Sequence, residues 1–173
     1  MPHSRDLNRI SFEEKGQRAM RSTDPYLSDK GYKEVTVCRK CNAHYFNKRW
    51  YIDEAELRNV TQDDVSATVV CPACLRIQDN NPEGVVVLSG QYLLEHEDEI
   101  LNIIKNTERE ARMKNPLARI MEIRQEKDEL TILTTNDKLA QKLGRNVYKS
   151  HKGELHYNWG REQDRIRVKW ERN

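Results

Sequence analysis

The chain has 173 residues, of which 36% are hydrophobic and 34% are charged, and its formal net charge is only +2. This composition excludes one large core and indicates one domain or two small ones, which commonly need a metal or disulfides for stability. No apolar run reaches the roughly 18 residues of a membrane-spanning helix, and the N-terminus lacks the apolar stretch of a secretory signal. We therefore expect a cytoplasmic protein with reduced thiols and no membrane partner.

The N-terminal residues 1–33 alternate charged side chains with few apolar ones. A short helix near residues 12–20 is weakened by Gly16, and Asp24-Pro25 would interrupt any longer one. We expect a flexible arm over residues 1–33 that orders only against a partner, or a tail that merely keeps the protein soluble.

The four cysteines form two Cys-x-x-Cys pairs, Cys38 with Cys41 and Cys71 with Cys74. A tight turn places both sulfurs of a pair on the same side, and two such pairs complete a tetrahedral shell of thiolates. The spacing predicts a zinc ribbon over residues 34–90, made of two turns from separate hairpins, with Zn²⁺ as the cofactor. Iron and a redox-active dithiol are the alternatives.

Aromatic and basic residues interleave in the return segment after the first pair. We expect Tyr45, Phe46 and Trp50 to pack around the metal, while the neighbouring cations contact phosphate. The alternative is that Trp50 offers a stacking surface to a nucleic acid.

The segments that precede and connect the two cysteine pairs contain only short predicted elements, and residues 53–64 are polar. Strands are predicted over residues 34–37 and 68–70, and a short helix within residues 53–64. The β-branched run over residues 85–88 predicts another strand, covered on both faces, which we count with the ribbon.

A long helix is predicted over roughly residues 91–114, with Ser89 as its N-cap. Acidic residues crowd its first half and basic residues its last turns, as the helix dipole favours. The helix ends before Pro116 and joins the ribbon to the C-terminal part over residues 91–173.

The C-terminal part reads as two strands, a helix and two more strands. The pattern predicts a hairpin of residues 119–124 and 129–134, a helix over 138–149, and strands over 154–159 and 165–170. The sequence thus predicts an α+β fold, in which a four-cysteine zinc ribbon is joined by a long helix to a small antiparallel β-β-α-β-β sheet.

With the long helix counted, the predicted order of elements is α-β-β-α-β-β, which is a circular permutation of the ferredoxin-like order β-α-β-β-α-β. The last strand would then be central, and its cations Arg165, Arg167 and Lys169 would lie on an open face that RNA-binding sheets use. The alternative is an ordinary charged outer surface.

Sequence features of enzymes are missing. The chain has no glycine-rich nucleotide-binding loop and no Gly-x-Ser-x-Gly elbow, and its histidines are scattered. Because all four cysteines are assigned to the metal, we expect a non-enzymatic protein without a small-molecule substrate.

Several segments together carry a family resemblance. They are the two cysteine pairs, residues 82–90, residues 115–120, residues 148–155 and residues 166–170. From about residue 34 to its end, the chain resembles a family of small, poorly characterised bacterial zinc-ribbon proteins. That family is similar to part of the archaeal and eukaryotic large-ribosomal-subunit export adaptor, of the ribosome stability and mRNA decay family. The resemblance implies a zinc-stabilised protein that docks on ribosomal RNA.

We therefore expect a protein that associates with the ribosome or ribosomal RNA and has ribosomal proteins as further partners. Its expected role is that of a ribosome stability or hibernation factor under stress. The two ends of the chain are basic, and residues 115–173 hold 13 Lys and Arg against 9 Asp and Glu. The expected RNA contacts are Arg39, Lys40, Lys48, Arg49, Arg76, Lys149, Lys152, Arg165, Arg167 and Lys169. A zinc-ribbon adaptor for a protein partner and a sensor of redox or metal stress are the alternatives.

Overall fold

The computed structural model describes residues 24–28, 30–55, 57–160 and 165–173. The predictions for residues 1–23 lie outside the described residues. From Tyr32 to Asn173 the chain forms one compact unit. This unit is an α+β structure with two small mixed sheets.

Along the chain, four strands are followed by a helix, one strand, two helices, two strands, a helix and two strands. The strands are β1 Thr36–Cys38, β2 His44–Phe46, β3 Arg49–Tyr51, β4 Ala67–Val69, β5 Gly84–Ser89, β6 Ile120–Glu126, β7 Glu129–Thr134, β8 Glu154–Trp159 and β9 Ile166–Glu171. The helices are α1 Pro72–Gln78, α2 Gln91–Glu95, α3 Glu97–Lys114 and α4 Asp137–His151. Among the described residues, no helix has the length and apolar content that crossing a membrane requires.

The first sheet has the strand order β3-β2-β1-β4 and belongs to residues 36–78, which we call the cysteine region. β1 pairs antiparallel with β2 but parallel with β4, so that Cys38 lies opposite Val69. The predicted helix within residues 53–64 is absent from the described residues of that segment, which hold a single 3₁₀ turn, Gln62–Asp64. That polar segment is too short to form the costly helical nucleus without tertiary packing.

The second sheet has the strand order β6-β7-β5-β9-β8 and belongs to residues 84–171, which we call the sheet region. Assigning residues 85–88 to the ribbon was wrong, because β5 is the central strand here and pairs with β7 and β9. The predicted antiparallel sheet is also wrong in one pairing, since β5 and β9 run parallel.

The position of β5 changes the topology. Starting from β5, the chain runs β-α-β-β-α-β-β, which is the ferredoxin-like β-α-β-β-α-β order with one extra strand rather than a circular permutation. The extra strand β8 lies at the edge and reverses the chain before β9, which is why β9 is parallel to β5. β9 still lies inside the sheet, as predicted.

The predicted long helix is interrupted at His96, between α2 and α3. The His96 ring stacks on Tyr92 with centroids 4.0 Å apart. The cap is Gly90 rather than Ser89, with φ +107°. A side chain at this position would overlap the carbonyl of Arg172, so the close approach of the C-terminal strand requires glycine.

The core of the sheet region lies between one sheet face and the helices α3 and α4. Its buried residues are Val86, Leu88, Leu93, Ile100, Ile104, Ala118, Leu130, Ile132, Leu139, Ala140, Leu143, Val147, Ile166, Val168 and Trp170. Gly144 lets α4 approach β9, because a Cβ there would lie 2.5 Å from Val168 Cγ1. The other face of the sheet carries the charged residues of β6, β7, β8 and β9.

Candidate metal centre

The first cysteine pair forms a turn between β1 and β2. The Cys38 amide donates to the Ala43 carbonyl at 2.8 Å, and the Asn42 amide donates to the Cys38 carbonyl at 2.9 Å. Closing this turn places Asn42 in the left-handed region at φ +60°, which asparagine tolerates better than most residues. The turn brings the sulfurs of Cys38 and Cys41 within 4.8 Å of each other.

The second pair lies at the start of a helix and not in a hairpin turn, contrary to the sequence prediction. Cys71 is the N-cap of α1, and Pro72 occupies the first helical position, where its missing amide hydrogen costs nothing. The Cys74 amide donates to Cys71 Sγ at 3.5 Å, and the Cys71 amide donates to Cys38 Sγ at 3.3 Å. The helix start therefore supplies backbone donors to two of the sulfurs.

The four sulfurs converge on one point. All four Sγ atoms lie within 4.8 Å of one another, with Cys38 to Cys74 at 3.9 Å and Cys41 to Cys71 at 3.7 Å. A tetrahedral ion with metal–sulfur bonds of about 2.3 Å has sulfur–sulfur edges of about 3.8 Å. The cluster thus has the dimensions of a metal site with four thiolate ligands.

The electrostatics of the cluster favour a bound cation. The hydrogen bond with Cys71 lowers the pKa of Cys41 to about 4. The same hydrogen bond and burial raise the pKa of Cys71, and burial raises the pKa of Cys74. One thiolate therefore forms readily, whereas further thiolates beside it are disfavoured unless a cation compensates their charge.

Arg119 is a further member of the site that the sequence analysis missed. Its Nη2 donates to Cys74 Sγ at 2.9 Å, and the residue is only 9% exposed. Its amide donates to Thr135 Oγ1, which fixes the start of β6. Four thiolates around a dication leave a net charge of −2, and the buried guanidinium offsets part of it. Because Arg119 lies 45 positions after Cys74, no local motif signals this contact.

Aromatic side chains pack beside the cluster. The rings of Tyr32, Tyr45 and Trp50 meet with centroids 5.0 to 5.4 Å apart. Trp50 is buried among the cysteines, and Tyr45 is half-buried against them, which confirms the packing role expected for both. Phe46 instead stacks on Tyr51 at 4.2 Å.

The expected RNA contacts in the cysteine region differ in accessibility. Four are exposed, namely Arg39, Lys40, Lys48 and Arg49. Lys40 donates to Gln78, and Arg49 donates to the carbonyl of Lys114. Arg76 is 7% exposed and donates to the Asn81 carbonyl, so it offers almost no surface to a phosphate.

The expected contacts in the sheet region lie on two opposite sides of the sheet. Arg167 and Lys169 are exposed on the face away from the helices, as predicted. Arg165 is half-buried and donates to Asn81 Oδ1 at 3.0 Å. Lys149 and Lys152, both exposed, lie on and just after α4 on the other side. The structure therefore does not unite the predicted cations into one patch.

Among the described residues, the four cysteines are the only group of His, Cys, Asp or Glu placed to share a metal ion. Comparison of the chain with protein-family models, curated proteins and solved structures finds no match. The family resemblance therefore stays a prediction. Chemically, the cluster can hold one ion in a closed shell of sulfur, which leaves no position for a substrate.

Proposed function

We propose that the four cysteines hold one structural zinc ion, and that the protein is a non-enzymatic factor which associates with ribosomal RNA. The observation that supports the metal is the convergence of the four sulfurs within 4.8 Å of one another, with two separations of 3.7 and 3.9 Å. A shell of four thiolates suits zinc or iron. We favour zinc because two Cys-x-x-Cys pairs with a closed shell are typical of structural zinc sites.

The metal assignment is tested on the protein purified without added metal. Elemental analysis should find one zinc per chain, and the protein should be colourless. Iron bound by four thiolates would absorb visible light through charge transfer, and that spectrum would replace zinc by iron in the proposal. A chain with neither metal would contradict the site.

The RNA part of the proposal rests on the exposed cations of the cysteine region, on those on and just after α4, and on the family resemblance. Phosphate contacts release counterions, so binding should weaken steeply with salt. Sedimentation of a cell lysate at about 50 and 200 mM salt is the test, and the protein should move with ribosomal particles only at the lower salt. A protein that stays in the unbound fraction at both concentrations contradicts the proposal.

A nuclease treatment separates this proposal from the adaptor hypothesis. If the protein associates through RNA, nuclease should release it from every sedimenting particle. A partner that stays bound after nuclease, without ribosomal material, would favour an adaptor for a protein. A role under stress is the remaining part of the proposal, and it predicts that the ribosome-bound fraction increases when growth stops.

A further inference from the structure

The outer side of α4 carries a row of cations. Lys138, Lys142, Arg145 and Lys149 follow one another at intervals of three and four residues, which places them on one helical face. The opposite face of the helix is buried in the core. Lys138, Arg145 and Lys149 are exposed, whereas Lys142 is half-buried and lies 3.6 Å from Glu110. We call these four residues the basic ridge.

The helix that carries the basic ridge has a higher net charge than the chain as a whole. α4 contains four Lys and Arg and one acidic residue, Asp137, so the helix alone carries +3 while the whole chain carries +2. The ridge lines a shallow depression of about 380 Å³ together with Gln141 and Asn146. Gln141 adds a hydrogen-bonding group between the cations, whereas the Asn146 amide donates to Thr107 Oγ1 at 3.0 Å.

The open face of the sheet has the opposite balance. Strand register places three cations there, Arg124, Arg167 and Lys169, and five acidic residues, Glu122, Glu126, Glu129, Glu154 and Glu171. The net charge of that face is therefore −2 with histidine neutral. A polyanion is attracted to the ridge and repelled on average by the open face.

Exposed aromatic rings lie on the same side of the sheet as the ridge. Tyr157 and Trp159 of β8 pair with Val168 and Ile166, which α4 covers, so all four side chains point to the helix side. Because β8 is the edge strand, Tyr157 stays 42% and Trp159 55% exposed. The strand register aligns Trp159 with Ile166, Gly84 and Thr134. Trp159 therefore lies at the level where β7 ends, three residues before α4 begins.

We propose that the basic ridge and the exposed rings of Tyr157 and Trp159 form a binding surface for single-stranded RNA. The ridge contacts phosphates along about 16 Å of helix, from Lys138 to Lys149 at about 1.5 Å per residue. The rings stack unpaired bases, which a duplex does not offer. The inference rests on the proposed association with RNA and specifies its surface. An acidic peptide would use the cations but would leave the rings without a purpose.

The test uses the whole zinc-loaded chain and a fluorescein-labelled oligo(U) of about 16 nucleotides. This length matches the largest site size of one OB fold, a common domain for binding single strands. Fluorescence anisotropy compares two charge-matched triple variants. The ridge variant is Lys138→Glu, Arg145→Glu and Lys149→Glu, and the face variant is Arg124→Glu, Arg167→Glu and Lys169→Glu. Circular dichroism and zinc content confirm that both are folded.

The ridge variant should lose most of its affinity, whereas the face variant should bind like the wild type. Because three side chains of the ridge variant no longer neutralise phosphates of a single strand, the slope of log K against log salt should become shallower by about 2 units. Loss of binding in the face variant with full binding in the ridge variant overturns the inference.

The exposed tryptophan provides an independent readout. Oligo(U) should quench the fluorescence of Trp159, and Trp159→Phe should abolish this quenching while retaining affinity. Trp159→Ala should weaken binding by about 5- to 150-fold, the value of one base-stacking contact. An unchanged affinity in Trp159→Ala overturns the stacking part of the inference.

Two further outcomes separate this inference from the proposed function. A wild-type protein that sediments with ribosomes but does not bind oligo(U) overturns the single-strand surface and leaves the ribosome association standing. Binding to neither overturns both. Competition by poly-glutamate as effective as that of unlabelled oligo(U) overturns RNA as the partner and indicates an acidic protein.

Discussion

The cysteine region and the sheet region are stabilised by different means. The described core of the cysteine region has six buried residues, and three of them are cysteines: Cys38, Ala43, Trp50, Cys71, Ala73 and Cys74. The core of the sheet region has fifteen, all of them apolar. Because a core of six residues cannot offset the entropy of ordering its strands, we infer that the metal stabilises the first region and hydrophobic burial the second.

The largest expected effect is the removal of one sulfur ligand. Cys71→Ser should abolish stoichiometric zinc binding and unfold the cysteine region, because zinc contributes about 10–16 kcal/mol of apparent free energy in small finger peptides. Zinc content and thermal unfolding measure the result. The exposed Thr68→Ser on β4 is the matched control and should behave like the wild type. Full zinc retention in Cys71→Ser would contradict a site built from all four thiolates.

A substitution in the core of the sheet region should lower the stability of the protein without changing its zinc content. Trp170 is fully buried and its Nε1 donates to the Lys152 carbonyl, so Trp170→Ala should cost about 3–5 kcal/mol of unfolding free energy. Urea unfolding measures the loss, and zinc content should not change. Trp159→Ala, at an exposed position, should stay within about 0.5 kcal/mol of the wild type. If Trp170→Ala lost its zinc while the sheet region stayed folded, the separate stabilisation of the two regions would be contradicted.

Arg119 tests the connection between the two regions. Arg119→Met removes the hydrogen bond to Cys74 Sγ, and hydrogen bonds to charged groups contribute about 1.5–3 kcal/mol. We expect one zinc per chain as before, but faster transfer of that zinc to a chromogenic chelator. Arg124→Met, at an exposed arginine that pairs with Glu122, is the control. Equal transfer rates in both variants would show that Arg119 does not stabilise the metal-bound cluster.

The smallest effect concerns His151 at the end of α4. Burial lowers its pKa, and nearby His96 and Arg172 act in the same direction against the opposing carboxylate of Glu99. The stability that this neutral histidine contributes is present above the unfolded pKa of about 6.5 and is lost as the pH falls through the lower folded pKa.

Urea midpoints of the wild type and of His151→Gln, from about pH 7.5 down to pH 5, measure this contribution. As the pH falls, the wild type should lose stability more steeply than the variant, because His151 is the one titrating group that the variant lacks. His156→Gln, at an exposed histidine, should follow the wild type. Parallel curves for the wild type and His151→Gln would show that His151 does not contribute to the pH dependence.

Local sequence patterns predicted some elements of both regions well. The apolar periodicity placed α4, β7 and β8 within two residues, because alternation and helical spacing are properties of a short segment. The two Cys-x-x-Cys pairs predicted the sulfur cluster, because each pair is itself a local turn.

What the sequence did not show depends on distant partners. The run at residues 85–88 predicted a strand, but nothing in it indicates that its neighbours are β7 and β9, more than forty residues onward. The parallel pairing of β1 with β4 and the contact of Arg119 with Cys74 are likewise long-range. The sequence analysis did not single out the basic ridge, and its contrast with the open sheet face required the strand register.

The central claim is that one metal ion holds the cysteine region, while the sheet region is independent of it. Hydrogen–deuterium exchange with mass spectrometry, on the zinc-loaded protein and after removal of zinc by a chelator under reducing conditions, tests it directly. We predict that exchange becomes fast across β1–β4 and α1, while β5, β7, β9 and α4 stay protected. Unchanged protection of β1–β4 without metal, or loss of protection across the whole unit, would contradict the claim.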